Sequence, residues 1–194
     1  MRFIKEHSDT IVKLMINQIG IAIFAFFLYT AAGALKIENS DTAMLVKVGI
    51  SVFSIIFYFV LLYYIMWEIG GKDKIRIDAG RLEAQHSKGI IIGLAANSLN
   101  FIIIGVSVIC LAVYMMSGAE WLMSIFGVLN AIYRIFVSMY LGAIMGITAS
   151  FADNTEVYYL LQSIGFLAFS LISALIIHLS YLMGLNNKRL FSGK

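Results

Sequence analysis

Four long apolar runs decide what this chain can fold into. A helix needs about 20 mainly apolar residues to cross a hydrocarbon core of about 30 Å, and each run is that long. The mean hydropathy of +0.91 and the hydrophobic content of 61% support the same conclusion, because a soluble domain is only about half apolar. We therefore predict an all-α integral membrane protein, a polytopic helical bundle with firm spans at 14–35, 46–67, 89–116 and 157–185.

These runs leave no length for a separate soluble domain, so we predict one transmembrane domain over residues 1–194. The N-terminal "MRFIKEHSDTIVKLM" carries charges through Lys13, and it lacks the short basic region, apolar core and cleavage site of a signal peptide. We expect the first span to stay in the mature protein. The chain contains no proline, which predicts uninterrupted helices.

A fifth apolar stretch, residues 118–152, is ambiguous because it contains Arg134. As one helix of about 33 residues it would be about 50 Å long, with a central charge that costs about 2.5 to 3.5 kcal/mol to insert. We therefore favour a helical hairpin or re-entrant segment with arms at 118–133 and 135–152. This gives six crossings, with five spans as the alternative. The first arm would rise only about 22 Å, so Arg134 would have to extend toward the headgroups.

The 14 basic residues indicate the orientation, since cytoplasmic segments close to span ends are enriched in Lys and Arg. Five spans would place eight of them inside and five outside, with Arg134 in the membrane. The hairpin places twelve inside, including Arg134 at its cytoplasmic tip, and leaves Lys36 and Lys47 outside. We therefore predict a multi-pass protein of the cell membrane whose N- and C-termini are both cytoplasmic.

Small residues recur every four positions in the second arm of the ambiguous stretch. They are Ser138, Gly142, Gly146 and Ser150. Side chains at this spacing share one helical face and let another backbone approach closely. Gly89 and Gly93 begin a similar ridge, which Asn97 continues. We expect packing within the chain, and contact with a second copy or a partner subunit is the alternative.

Polar side chains inside the apolar runs are candidates for a substrate path. An amide or ionisable group within a membrane usually faces the bundle interior or a cavity. The candidates are Asn97, Asn100, Gln162 and His178, and Asn130 is a further polar residue of this kind. Interhelical hydrogen bonds, at about 0.6 kcal/mol each, explain such residues equally well. No ligand-type residue stands at suitable spacing beside His178, so we expect no metal site.

The longest polar segment, residues 67–88, follows the second span and is predicted to be a cytoplasmic loop. Within it "KIRID" alternates like a strand and "DAGR" resembles a turn, although an isolated hairpin is marginal in water. Its basic residues can contact anionic lipid headgroups, at about 1 kcal/mol each, or a protein partner. These docking candidates are Lys72, Lys74, Arg76 and Arg81.

The order of these features resembles the layout of six-span permease subunits of ABC-type exporters. The shared features are an amphipathic N-terminus, a basic loop after the second span that begins with "WEIG", and a dipping hairpin before the last span. In that family the loop after the second span contacts the ATPase, which implies a docking role for residues 67–88. The outer re-entrant segment is placed differently here, so the resemblance is one of layout.

Two classes of function fit these observations. The first is a small permease or transport-type subunit that works with a partner. The second is a non-transport membrane factor, such as an assembly, immunity or regulatory protein. Zinc-protease, nucleophile-elbow and phosphate-loop motifs are absent from the sequence, so we expect no enzyme activity and no cofactor. The expected partners are membrane lipids, a second copy, a partner membrane subunit or an ATPase, and not nucleic acid.

Overall fold

The computed structural model of this chain describes residues 2–34 and 39–190. These residues form eight α-helices and one short 3-10 helix, without any strand, which confirms the predicted all-α class. The α-helices are α1 (Arg2–Glu6), α2 (Ser8–Ala34), α3 (Ser40–Asp78), α4 (Lys88–Ala96), α5 (Ser98–Ser117), α6 (Glu120–Phe136), α7 (Ser138–Thr148) and α8 (Thr155–Leu185), and the 3-10 helix is Ala149–Phe151. Lys36 and Lys194, which enter the charge count, lie outside the described residues.

Four of these helices are long and apolar enough to cross a membrane, as predicted. They are α2, α3, α5 and α8, with 27, 39, 20 and 31 residues. The predicted run 89–116 is not one helix, however, because it breaks at Asn97 between α4 and α5. The Asn97 side-chain amide donates to the Gly93 carbonyl at 2.9 Å, and such local bonds compete with helix continuation. The prediction of an uninterrupted helix from the absence of proline is therefore wrong here.

The chain forms two compact units. The first comprises Met1–Met15, Phe57–Asn97 and Leu171–Lys194, and the second comprises Ile16–Ile56 and Ser98–Ser170. Helices α2, α3 and α8 each contribute residues to both units. The prediction of a single transmembrane domain stays a prediction.

In the first unit, glycines bring α3, α4 and α8 into backbone contact. A side chain at Gly70 would overlap the backbone of α8, and one at Gly184 would overlap the backbone of α3. Cβ atoms at Gly89 and Gly93 would come within 2.9 and 2.8 Å of atoms of α8, closer than ordinary contact. The ridge of Gly89 and Gly93 therefore packs within the chain, because only a missing side chain allows so close an approach.

α3 continues well past its apolar run, so much of the segment predicted as a loop is helical. The helix extends to Asp78, and "KIRID" lies within it. Ion pairs of Lys72 with Glu68 at 2.6 Å and of Lys74 with Asp78 at 3.3 Å link successive turns, and such pairs support an exposed helix. The strand-like alternation of "KIRID" was therefore misleading, because the helix started by the preceding span continues through it.

α3 and α8 end in the same way, with one residue in the left-handed region of backbone conformation. Gly80 follows α3 with φ of 67°, and Asn187 follows α8 with φ of 53°. In both cases the next N–H donates to the carbonyl five residues earlier, at 2.9 Å. This is the pattern in which glycine or asparagine closes a helix. The turn predicted at "DAGR" is thus the C-terminal end of α3.

In the second unit, α5 and α6 form a helical hairpin with a very short connection. Gly118 adopts φ of 68°, and its N–H donates to the Tyr114 carbonyl at 2.8 Å. The two helices bury a small apolar cluster beside this turn, formed by Cys110, Leu111, Leu122 and Phe126. The hairpin carries the chain into the stretch that contains Arg134.

α6 and α7 form one bent element, because the helix axis changes direction by 114° at Val137. With 17 and 11 residues, they rise about 25 and 17 Å. Neither arm alone spans a core of about 30 Å. By length and apolarity the pair would count together as a fifth span. A straight helix through Arg134 does not form.

The contacts of α6 and α7 with α8 show where the bent pair reverses its direction along that helix. Ring contacts of α6 and of the start of α7 advance along α8 from Tyr159 through Phe166 to Phe169. The chain then turns back, because Ile144 lies against Gly165. Phe169 is about 21 Å from the start of α8, near the middle of that helix. The re-entrant form of the prediction agrees with this geometry, and so does the five-span alternative, in which the bent pair is one broken span. Six full-length spans exceed the four to five that the described helices allow.

Small residues hold α7 against α2 and α3. The Ser138 hydroxyl donates to a backbone carbonyl of α2, and the Gly142 N–H donates to Ser51 Oγ at 2.7 Å. A side chain at Gly142 would overlap the backbone of α3, and a Cβ atom at Gly146 would lie 2.9 Å from a side chain of α3. Ser150 is exposed in the 3-10 helix. The small-residue ridge therefore packs within the chain and ends at Gly146.

Candidate functional site

Arg134 lies three residues before the bend of the re-entrant pair, and its guanidinium reaches α8. Its Nη2 donates to Gln162 Oε1 at 2.5 Å, and its Cζ lies 5.6 Å from the centre of the Tyr159 ring. Gln162 is only about 10 Å along α8 from the start of that helix. The bend lies at Val137, three residues after the predicted tip at Arg134. The position of Arg134 relative to the membrane stays a prediction.

The neighbouring residue fixes the backbone from which Arg134 extends. The Tyr133 hydroxyl lies 3.0 Å from Ser163 Oγ, and the Tyr133 ring packs edge-on against Phe166 with centroids 5.5 Å apart. Tyr133 is 1% exposed. This buried contact holds α6 on α8 and so places the guanidinium beside Gln162.

The positive charge of Arg134 has no acidic partner nearby. Within residues 2–34 and 39–190, no carboxylate oxygen lies within 4.0 Å of its guanidinium nitrogens. The Gln162 side chain that it contacts is fully buried and neutral. A charge in an apolar segment is costly and usually pairs with an opposite charge or faces a cavity. Arg134 is therefore a feature that packing alone does not explain.

Three buried polar atoms of this region have no hydrogen-bond partner among the described residues. They are Arg134 Nε, Gln162 Nε2 and Asn130 Oδ1. Asn130 lies one turn before Arg134 and on the same face of α6. Because arginine offers donors only, Gln162 turns its oxygen toward the guanidinium, which leaves its NH2 group without an acceptor. Two unpaired donors beside a positive charge make an environment that is complementary to negative charge.

The four substrate-path candidates are divided between the two units. Asn97 and His178 belong to the first unit, and Asn100 and Gln162 to the second. Asn97 has a structural role, because it caps α4 and accepts a hydrogen bond from the Ser173 hydroxyl at 3.0 Å. Asn100 Nδ2 and His178 Nδ1 are buried without a partner among the described residues. Of the four candidates, Gln162 is the one that contacts Arg134.

A second buried polar cluster, in the first unit, was not predicted from the sequence. Lys88 Nζ donates to Asp73 Oδ2 at 2.7 Å, and the Tyr181 hydroxyl donates to the same oxygen at 3.1 Å. Lys88, Asp73 and Tyr181 are only 7%, 2% and 1% exposed. Arg76 Nη1 lies 4.0 Å from the other carboxylate oxygen of Asp73. This cluster joins α3, α4 and α8 through one carboxylate.

The sequence carries a signal for this cluster that becomes visible once α3 is continued. Leu62, Met66 and Gly70 are buried at intervals of four residues, and Asp73 follows three residues later. Residues at these intervals share one face of a helix. Extending the helix past the apolar run would have placed Asp73 on the packed face, where a carboxylate requires a partner.

The predicted docking residues lie on the extension of α3 and in the turn after it. Three of them have carboxylate neighbours, at 2.6 Å for Lys72, 3.3 Å for Lys74 and 4.0 Å for Arg76. Arg81 is exposed in the turn. The pairs of Lys72 and Lys74 are solvent-exposed and contribute only about 0 to 1 kcal/mol, so they do not prevent these side chains from binding a partner or lipid headgroups. Arg76 is itself exposed, although its neighbour Asp73 is buried.

The fold is an all-α polytopic bundle, consistent with a multi-pass membrane protein, and it contains one sharply bent helix pair, α6 and α7. Comparisons with protein family models, with curated proteins and with solved structures find no match to this chain. In the part of the chain that the structure describes, no three His, Cys, Asp or Glu side chains are grouped to hold a metal ion. The chemistry of Arg134 and its neighbours is therefore the main guide to function.

Proposed function

We propose that this chain is a small permease or transport-type subunit of the cell membrane, and that Arg134 lies on the path of its solute. The observation that carries this proposal is the hydrogen bond of Arg134 to a neutral amide, Gln162, at 2.5 Å. Ionisable residues within membrane segments generally mark substrate or ion pathways. A charge that has no counter-ion within 4.0 Å among the described residues is best explained by a ligand that supplies one during function.

The re-entrant pair supports the same function. Backbone that leaves the helix at membrane depth is tolerated only where it is buried in protein or lines a water-filled cavity. Val137, at the bend, is fully buried, while Arg134 on the adjacent turn is half-buried. Arginine and lysine side chains are typical of anion pathways. The charge and the unpaired donors of Arg134 and Gln162 therefore favour an anionic solute.

The proposed orientation places both termini in the cytoplasm. A re-entrant pair adds no crossing, so α2, α3, α5 and α8 make four. With the N-terminus inside, eleven of the 14 basic residues lie inside, Lys36 and Lys47 lie outside, and Arg134 lies within the membrane. This distribution agrees with the enrichment of Lys and Arg in cytoplasmic segments.

The same orientation gives the extension of α3 a role in partner binding. It would project its basic residues into the cytoplasm, where an ATPase, another partner subunit or anionic lipid can contact them. The docking residues are Lys72, Lys74, Arg76 and Arg81. An ATPase bound there would supply the energy for transport.

The alternative is a non-transport membrane factor with an assembly, immunity or regulatory role. The bonds of Asn97 favour it, because both polar groups of that side chain are used within the first unit. The close glycine contacts of α7 also favour it, because they too are made within the chain. In this alternative, polar residues in the spans serve only to hold helices together.

Access of water to the Arg134 site distinguishes the two functions without knowledge of the solute. The test uses Asn130→Cys in a Cys110→Ser background, reconstituted in liposomes and treated with charged methanethiosulfonate reagents. We expect the negatively charged reagent to react about tenfold faster than the positively charged one, because a positive site concentrates anions. Adding Arg134→Gln should remove that preference.

Ile132→Cys provides the matched control, since Ile132 is 39% exposed and lies on the opposite face of α6 from Asn130. A cysteine that faces lipid should react with neither reagent. If Asn130→Cys reacts only after denaturation in SDS, the site is dry. That result would reject the transport proposal and favour the non-transport factor.

A further inference from the structure

A cavity of about 250 Å³ lies in the first unit where the apolar run of α3 ends. Its lining is formed by Tyr63, Tyr64, Trp67 and Arg189. Three aromatic side chains and one arginine make its chemistry different from that of the Arg134 site. Neither of the two functions considered above uses this cavity.

The chain after α8 is fixed against α3 and builds one wall of the cavity. Trp67 Nε1 donates to the Lys188 carbonyl at 2.7 Å, and the Leu190 N–H donates to the Tyr63 hydroxyl at 3.0 Å. The Arg189 guanidinium, between these two anchors, lies 5.1 Å from the centre of the Trp67 ring. A guanidinium over an indole ring is a favourable arrangement. The cation is therefore held in place by two backbone hydrogen bonds and a ring contact.

The donors of this cavity suit a phosphate group. An arginine presents planar N–H groups that bind phosphate through two parallel hydrogen bonds. Among the described residues, no carboxylate oxygen lies within 4.0 Å of the Arg189 nitrogens. Glu68, next to Trp67 in the chain, is paired with Lys72 at 2.6 Å. The guanidinium is thus free to bind an anion.

The surroundings indicate that this anion belongs to a lipid. Tryptophan and tyrosine are enriched at the level of the headgroups, and here they stand where the apolar part of α3 gives way to charged residues. Phe57 and Tyr64, two turns apart on one face of α3, are 44% and 55% exposed, so an acyl chain can lie along them. Basic pockets between membrane helices are known sites for anionic headgroups.

We propose that this cavity binds the headgroup of an anionic phospholipid, with the phosphate on Arg189 and the glycerol region against Trp67 and Tyr64. The volume holds a phosphate with its adjoining glycerol, and the acyl chains remain outside. The positive charge of Arg189 favours a lipid with net negative charge. This proposal is independent of the transport function, because it uses none of the residues around Arg134.

Tryptophan fluorescence offers a direct test, because the chain contains only two tryptophans. Trp121→Phe leaves Trp67 as the single reporter. The purified protein in neutral detergent is titrated with dihexanoyl phosphatidylglycerol, dihexanoyl phosphatidylcholine or inorganic phosphate. We expect a saturable change in Trp67 emission with phosphatidylglycerol, and about tenfold weaker binding of the other two.

Substitutions assign the response to Arg189. Arg189→Gln should weaken phosphatidylglycerol binding about tenfold, and Arg189→Lys should lie between, since lysine keeps the charge but loses the planar fork. Lys188→Gln is the control for net charge and should change the affinity less than about threefold. Arg189 and Lys188 are exposed, so all variants should elute from gel filtration like the parent.

Three results would overturn the proposal. A response to inorganic phosphate as strong as that to phosphatidylglycerol would assign the cavity to a free anion. Equal affinities of the Arg189→Gln and parent proteins would show that the guanidinium does not bind the headgroup. The absence of any saturable change, in a protein that elutes normally, would show that lipid does not enter the cavity.

Discussion

One basic side chain in each unit is removed from solvent, fully for Lys88 and partly for Arg134, and the two have different partners. Lys88 in the first unit lies 2.7 Å from the Asp73 carboxylate, which also accepts a hydrogen bond from Tyr181. Arg134 in the second unit has a neutral amide partner, Gln162, at 2.5 Å. The first charge is compensated within the chain, while the second has no carboxylate within 4.0 Å among the described residues.

This difference predicts that the charge of Lys88 contributes to the stability of the fold and that the charge of Arg134 does not. Removing one partner of a buried ion pair leaves the other charge unpaired, which costs about 3 to 5 kcal/mol. Among the described residues, removing Arg134 leaves no opposite charge within 4.0 Å. We therefore expect Lys88 to stabilise the first unit, whereas the proposed role of Arg134 is to bind a ligand.

The largest effect is expected for Asp73→Asn. The amide keeps the shape of the carboxylate and can still accept from Tyr181, but it leaves the positive charge of Lys88 buried and unpaired. The free energy of unfolding should fall by about 3 to 5 kcal/mol. SDS-driven unfolding of the purified protein, followed by circular dichroism, measures this change.

The double variant Asp73→Asn with Lys88→Met separates the cost of the unpaired Lys88 charge from the other effects of Asp73→Asn. It removes both members of the pair, and methionine fills much of the volume of the lysine stem, so most of the lost stability should return. If Asp73→Asn alone stays within about 0.5 kcal/mol of the parent, the pair is a weak contact and the contrast with Arg134 disappears.

A much smaller effect on stability is expected for Arg134→Gln. The variant loses a hydrogen bond worth about 0.5 to 1.5 kcal/mol, or somewhat more for a charged donor, and it also removes a charge that is unfavourable in the membrane. These terms oppose each other, so the free energy of unfolding should stay within about 1 kcal/mol of the parent. A loss as large as that of Asp73→Asn would place Arg134 in the same structural class as Lys88.

The membrane class and the four spans were readable from the sequence because apolar length is a local property. Arg134 was also conspicuous, since a charge stands out within an apolar stretch, and it led to the re-entrant interpretation. Its partner was not predictable, because Gln162 follows 28 residues later and is brought near by the packing of α6 on α8. The helix breaks at Asn97 and Val137 were not predictable from proline, because the chain contains none.

The cluster around Asp73 shows a different limit. The predicted loop 67–88 begins where the apolar run of α3 ends, and it includes Asp73. In the structure, the same helix continues, and Asp73 contacts Tyr181 of α8 while Arg76 and Lys72 remain exposed. Composition therefore located the end of the apolar run but not the end of the helix, which is fixed by Gly80.

The smallest expected effect is on the pKa of His7, which lies between α1 and α2 and responds to the charge of Lys88. Partial burial, and then the positive charge of Lys88, hold the pKa of His7 below its ordinary value of 6.5, while Asp73 and Glu6 act in the opposite direction. Below about pH 6.5 the unfolded chain binds a proton that the folded protein resists. The contribution of His7 to stability is therefore complete above pH 6.5 and is lost as the pH falls from 6.5 through the lowered pKa. A His7→Gln variant should lack this part of the pH dependence.

NMR of the histidine-labelled protein measures the pKa of His7 and so tests the influence of the Lys88–Asp73 pair on it. In Lys88→Met the second cause of the lowered pKa is gone while Asp73 remains, so the pKa of His7 should rise relative to the parent. In Arg134→Gln, in the other unit, it should not move. The chain has three histidines, and the signal missing from His7→Gln identifies the right one. A His7 pKa that is unchanged in Lys88→Met would mean that burial alone sets it and that His7 does not sense the charge of the first unit.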